Sequence, residues 1–260
     1  MTAIPHRPSV FDTDLPEHLA CYVYGIVPAS SPGLPEGVTG VDGAPVELVR
    51  HGDLAAAVAV ITVERPPGRR ADLVAHSAVL DAFAASGPVV PVQFGSVMPG
   101  PRAVVEEVLA PEQDRFRHVL AELTGRAQFN LKATYLESVV LAEIVTEQPE
   151  VADLRERTRD LPEEAAYADR VRLGELVAKA MEAKRDLDAR VLLDAVLPHC
   201  AAYRPRPGSG VAHLLDVAFL VDDDQRAAFE DTLESLAETV HERARLRLLG
   251  PLAAYDFVED

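Results

Sequence analysis

Between residues 127 and 249 the spacing of apolar side chains switches back and forth between the strand and helix periods, and the order of those switches leaves few folds open. "AQFNLKATY" (127–135) reads as a strand, and "LESVVLAEIV" begins a helix that an acidic stretch with Pro149 and Pro162 interrupts. A long helix follows over about 165–196, with Leu173, Leu176, Val177, Ala180, Leu187, Val191 and Ala195 at helical spacing and charged residues between them. "HCAAYRPR" (199–206) is a strand, "PGSG" (207–210) a turn, and "VAHLLDVAFLV" (211–221) a strand with Leu215, Val217, Phe219 and Val221 on one face. Asp222–Asp224 are expected to open and cap a helix, where its partial positive charge favours carboxylates. That helix has the stripe Phe229, Leu233, Leu236, Val240. "RARLRLL" (243–249) closes the series as a half-buried strand, setting Arg243, Arg245 and Arg247 against Ala244, Leu246 and Leu248. The sum, β-α-β-β-α-β, is the order of a ferredoxin-like split βαβ unit with an enlarged first crossover. Right-handed crossovers place its helices on one face of an antiparallel sheet.

The first half reads differently. "CYVYGIVPA" (21–29) is a strand stopped at Pro28, and residues 30–45 are dense in Gly and Pro, hence loop. "VELVRHGDLAAAVAVIT" (46–62) gives two strands joined at His51–Gly52–Asp53. Residues 71–86 place Leu73, Val74, Val79, Leu80 and Phe83 on one helical face, and "VVPVQF" (89–94) is a buried strand. Helical segments at 101–110 and 112–124 flank Pro111, which suits a helix start. The whole is an α+β chain: a mobile leader (1–19), a small mixed α/β sheet domain (20–125), the ferredoxin-like domain (126–249) and a C-terminal tail (250–260).

Charge removes several classes of function. With 42 acidic against 25 basic residues the net charge is −17, the wrong sign for displacing counterions from nucleic acid or for meeting anionic lipid. The first twenty residues have no apolar run of signal-peptide length, and no stretch approaches the roughly 20 apolar residues that span a bilayer. The expectation is a soluble, cytoplasmic protein. Cys21 and Cys200 lie in apolar segments and read as buried free thiols; the pair His199–Cys200 lacks further zinc ligands.

No catalytic constellation emerges. The phosphate loop, dinucleotide fingerprint, HExxH and GxSxG patterns are all missing. His76 and Asp81 are five residues apart and do not share a helix face, so His76 reads as a helix-surface or interdomain histidine. Asp222–Asp223–Asp224 lack the EF-hand ligand pattern, and no metal or cofactor is expected. The arginines of 243–247 either pair with neighbouring acids or form a recognition strip for an acidic partner.

Three segments in order then carry a resemblance: "YVYGIV" (22–27), "VVPVQFGSVMP" (89–99) and "GPLAAYDFVE" (250–259). Together they resemble the gas vesicle proteins of the GvpL/GvpF family, with its Tyr-Gly opening strand, its Pro-Leu-Arg-Phe-Gly-Thr segment and its Gly-Pro-Trp-Pro-Pro-Tyr-Ser-Phe ending. Gln93 stands in the place of the usual arginine, Leu252 in that of the tryptophan, and Ala253–Ala254 replace two prolines. The resemblance implies a cytoplasmic, vesicle-associated accessory protein of gas vesicle assembly that makes no bond itself. Its partners would be the small shell protein and other accessory proteins. Phe94, Gly95, Arg243, Arg245, Arg247, Tyr255 and Phe257 are the candidate interaction or interdomain residues. For the tail the packing role is expected first, through Leu252, Tyr255, Phe257 and Val258. The alternative is a small-molecule-binding regulatory or enzymatic α/β protein with a ligand between the halves, for which His76, Gln93 and Arg247 are the residues of interest.

Overall fold

The computed structural model describes residues 15–258. Of the leader expected at 1–19, residues 1–14 lie outside the described residues; a turn follows, and Leu19 already belongs to the first strand. The chain forms two compact units, 1–128 with 250–260 and 129–249, each built on an antiparallel sheet.

In the first unit β1 (Leu19–Pro28) is the hub. It pairs with β3 (Leu54–Thr62), which pairs with β2 (Val46–His51). On its other side β1 holds the short strands β4 (Val90–Pro91) and β5 (Val97–Met98). The β2–β3 hairpin turns at Gly52 with φ of +59°, a conformation glycine adopts without strain. A bulge in β1 lies between Val23 and Gly25. The inserted residue shifts the alternation, so that Tyr22, Tyr24 and Val27 share one face of the sheet with Ala55, Ala57, Ala59 and Ile61. That face is covered by α1 (Arg70–Ala84). Gly25 allows the close approach: a Cβ there would lie 2.8 Å from Leu80 Cδ2 and 2.8 Å from the Val90 carbonyl oxygen.

The opposite face is covered by α2 (Pro101–Ala103), which runs on as a π-helical segment over Val104–Leu109, and by α3 (Gln113–Leu123). Pro111 lies in the turn between them. The expected strand at 89–94 reduces to the two residues of β4, because the chain bends away at Gln93 to make a turn.

The second unit has the strand order β7-β8-β6-β9, formed by β6 (Arg126–Tyr135), β7 (Ala202–Pro205), β8 (His213–Asp222) and β9 (Ala244–Leu252). Helices α4 (Glu137–Glu147), α5 (Pro149–Thr158) and α6 (Glu163–Val196) connect β6 to β7, and α7 (Arg226–Val240) connects β8 to β9. Phe229 of α7 lies against Phe129 and Phe219, with ring centroids 5.3 and 5.5 Å apart, all three buried.

Several expectations need correction here. The helix does break at Gln148 and again before Glu163, but the acidic stretch between is itself the helix α5, started by Pro149 at its first turn and anchored by buried Val151, Leu154 and Thr158. On α6 Leu187 and Val191 are exposed (62% and 57%), while Leu192 and Val196 are buried. Asp222–Asp224 do not cap α7: they form the turn before it, and the helix starts after Gln225 without a side-chain cap. Both faces of β8 are buried, since Leu214, Ala218 and Leu220 are as enclosed as Val217, Phe219 and Val221. Cys21 is buried and its thiol pushed up to about 11 by that burial, whereas Cys200 is only half-buried.

Candidate functional site

The candidate residues fall into two groups, one in each unit. Phe94 and Gly95 lie in the turn after β4. Its backbone is tied to β1 by Val92 N–H on the Tyr24 carbonyl (2.9 Å) and Val23 N–H on the Ser96 carbonyl (2.9 Å). Gly95, with φ of +91°, points its N–H at the Tyr22 hydroxyl oxygen (3.1 Å). The same hydroxyl bonds His76 Nδ1 at 2.9 Å. His76 stacks on Tyr24 at 5.6 Å and meets the half-buried Phe94 edge-on at 5.5 Å.

His76 is therefore not a surface residue. It is 1% exposed, and the inward face of α1 is Asp72, His76, Val79, Leu80 and Phe83, with Leu73 and Val74 turned out to solvent. Burial lowers its pKa to about 4, against a smaller opposing effect of the Val92 backbone, so the ring is neutral near pH 7. The Tyr22 hydroxyl thus joins the His76 ring to the turn, since the same oxygen accepts the Gly95 N–H. Asp72 serves α1 rather than chemistry: its carboxylate takes the N–H groups of Gly68 (3.0 Å) and Arg69 (2.8 Å), which hold it below the usual carboxylate range.

The C-terminal segment belongs to this first unit. Strand β9 runs through the Gly250–Pro251 step, which is cis, and ends at Leu252. The deepest tail positions are not the aromatics but Ala253 and Ala254, 1% and 5% exposed, with Ala253 in the core beside Tyr22 and Phe83. Ala253 N–H reaches the Asp81 carboxylate (3.4 Å), whose pKa is raised by burial and only partly restored by that bond. Asp256 accepts from the Gln128 amide while its own N–H donates to Gln128 Oε1 at 3.0 Å. Arg115 donates to the Val258 carbonyl (3.1 Å). Tyr255 remains 36% exposed; burial of its hydroxyl end pushes its pKa up to about 12, with Asp81 adding to the rise and Ser77 opposing it. Phe257 is half-buried in a final 3₁₀ turn.

In the second unit the three arginines separate. Arg243 binds Glu143 (2.7 Å) and Asp188 (2.8 Å) and lies over the Tyr135 ring at 5.6 Å. Tyr135 also donates to Asp188, and Lys184 bridges Glu143 and Glu147. This network joins α4, α6, the end of β6 and the turn before β9. Hydrogen bonds to Asp188 and Glu143 raise the Arg243 pKa further; burial pushes Glu143 up, but its bonds from Arg243 and Lys184 outweigh that and hold it below its ordinary value. Arg245 and Arg247 are exposed on β9, an edge strand, and make no ion pair among the described residues. Lys132 on neighbouring β6 is likewise exposed and unpaired among them. Gln93 is exposed at the β4 turn.

These features define a mixed α/β protein with two antiparallel sheets. Among the described residues it has no cluster of side chains fit to hold a metal and no helix long and apolar enough to cross a membrane. The chain matches the family model described as gas vesicle synthesis protein GvpL/GvpF over residues 20–259, and it belongs to that family. It is 34% identical over 243 residues to gas vesicle protein F of Streptomyces sp. (strain CB03234), covering 93% of this chain and 100% of that one. It is 30% identical to gas vesicle protein L of the same strain, covering 91% of each. The crystal structure of gas vesicle protein GvpF from Anabaena sp. PCC7120 superposes with a TM-score of 0.78 at 22% identity, covering 93% of this chain and 98% of that one. Family membership gives the protein a role in gas vesicle formation, in a family of gas vesicle proteins that is not a known enzyme family.

Proposed function

We propose that this chain is a non-catalytic accessory protein of gas vesicle assembly in the cytoplasm, acting by binding the small shell protein or other accessory proteins of the vesicle. The observation that carries the reading is the family match over nearly the whole chain, 20–259. Exposed cations add to it: in a protein of net charge −17, Arg245, Arg247 and Lys132, which make no ion pair among the described residues, lie on neighbouring strands at a sheet edge. An edge strand offers unpaired backbone groups, and cations beside it favour an acidic segment over a like edge. Phe94 and Gly95, fixed by Tyr22 and His76, and the tail residues Tyr255 and Phe257 serve the scaffold first, with Tyr255 partly available at the surface.

The second unit is read as ferredoxin-like. Its order β7-β8-β6-β9, with connections through α4–α6 and α7, supports this: numbered within the unit the strands lie 2-3-1-4. The residues 20–125 and 126–249 are read as separate folding domains, with the tail docked on the first. The acidic exterior keeps such a factor soluble beside apolar shell subunits. Deleting the gene tests the reading, with vesicles scored by buoyancy and light scattering. Loss of vesicles, restored by the wild type and reduced with Arg245→Glu/Arg247→Glu, is expected. Normal vesicles without the gene refute it.

A further inference from the structure

Helix α1 carries more apolar surface than its own unit covers. Its inward side is filled by Asp72, His76, Val79, Leu80 and Phe83. Its outward side leaves Leu73 48% and Val74 59% exposed, with Ala71 and Ala78 also in solvent. Beyond Arg70 the helix has two acids, the buried neutral His76 and no further Lys or Arg. Asp72 is buried, and Asp81 is half-buried against the tail. The solvent face thus carries no charge past its first residue, in a chain of which 26% is charged. Such a face on an otherwise polar exterior marks a contact surface.

The face is also shaped. The loop at 37–39 borders it, and between them lies a shallow, open groove of about 680 Å³, lined by Val38, Ala71, Val74, Ala75 and Ala78. Arg70 lines one end and makes no ion pair among the described residues.

We infer that this groove docks an amphipathic α-helix of another protein, its apolar stripe on Val74 and the alanines and an Asp or Glu at one end on Arg70. Charge selects the occupant. An exposed arginine bordering an apolar floor calls for a carboxylate, and the floor rejects a polar strand. A second copy of this chain fits less well: each carries −17, and α1 has no free carboxylate for its neighbour's Arg70, since Asp72 is buried and Asp81 is held by Ala253. The inference rests on the assembly reading only in seeking the helix among gas vesicle proteins.

A photo-crosslinking residue placed at Val74, in cells making the complete set of gas vesicle proteins, tests it; the same residue at exposed Leu187 is the control. The expected adduct lies in an apolar helical segment of another gas vesicle protein with an Asp or Glu within a turn of it. Arg70→Glu should lower its yield roughly fivefold with unchanged circular dichroism, and exchanging that acid for Lys should restore it. An adduct to residues 1–14, to a second copy, or to a segment without acids overturns the inference, as does no adduct above the control while vesicles form. An adduct of the expected kind from a chain that proves dispensable for vesicles would refute the assembly reading and leave the groove standing.

Discussion

Replacing Gly40 by alanine tests why the first unit needs its opening-strand tyrosine. Gly40 has φ −80° and ψ −165°, an extended conformation open to any residue, so its missing side chain answers a need for space. A Cβ there would come within 2.1 Å of Tyr24 Oη, 2.9 Å of Cζ and 3.1 Å of Val46 Cγ2. Tyr24 is fully buried, and its hydroxyl accepts the Val41 N–H at 2.7 Å. The methyl must push the phenol away. Overpacking costs about 1–3 kcal/mol, and a buried N–H left without its acceptor costs about 1–3 kcal/mol more. Gly40→Ala is therefore expected to destabilise the unit by roughly 2–6 kcal/mol. Tyr24→Phe alone loses the bond and costs about 1–3 kcal/mol. In the double variant the nearest clashing atom is gone and the bond is lost only once. Its cost should fall short of the sum by at least about 1 kcal/mol. Thermal unfolding followed by near-ultraviolet circular dichroism of the tyrosines measures this, at roughly 3 °C per kcal/mol for a unit of about 140 residues. Strict additivity, or a Gly40→Ala variant as stable as the wild type, would refute the packing argument.

Three further outcomes follow from the same structure. His76 binds its proton with a pKa of about 4 in the fold against 6.5 unfolded, so stability is full above pH 6.5 and falls as pH drops toward 4, by roughly 3 kcal/mol in all. Urea unfolding at pH 7, 6 and 5 should show that slope flattened in His76→Gln; an unchanged slope contradicts the burial of a neutral imidazole. Arg243→Gln strips Glu143 and Asp188 of their shared partner and should cost about 1–3 kcal/mol in urea. Arg245→Gln and Arg247→Gln should stay within about 0.5 kcal/mol; equal effects at all three would deny the division between the paired and the exposed arginines. Ending the chain at Leu252 removes Ala253 from the core and uncovers Asp81. Amide exchange should then quicken in α1 and not in α7, and a tail that merely dangled would change neither.

The strands and helices were legible wherever one periodic face meets one core. Phe229 and Leu233 on α7, the β2–β3 hairpin at Gly52 and the alternation of 244–248 all appear as expected. Legibility failed where a charged side chain occupies a buried line. On α6 that line runs through Lys184 and Asp188, which are satisfied by Glu143, Glu147, Tyr135 and Arg243; an apolar-only stripe therefore drifts to Leu187 and Val191, which are exposed. Helix α5 was lost because its polar residues outnumber the three that anchor it. On α1 the same kind of error hid both sites of interest: a polar histidine lies inside, and Leu73 and Val74 lie outside. Apolar residues on two sides of that helix were the available sign of a second contact.

Sequence alone determined the element types of both units apart from α5 and β5, the excess of acid, and the ordered segments 22–27, 89–99 and 250–259 that mark the family. These depend on local spacing and composition, which a chain carries whether folded or not. Only the tertiary structure decided that the tail packs its alanines into the first unit, that Tyr22 and His76 hold the turn of Phe94 and Gly95, and that Arg243 is paired while Arg245 and Arg247 make no ion pair among the described residues. Each of those outcomes turns on which groups meet across distances of up to 230 residues, and the identity of a residue does not say what will stand opposite it.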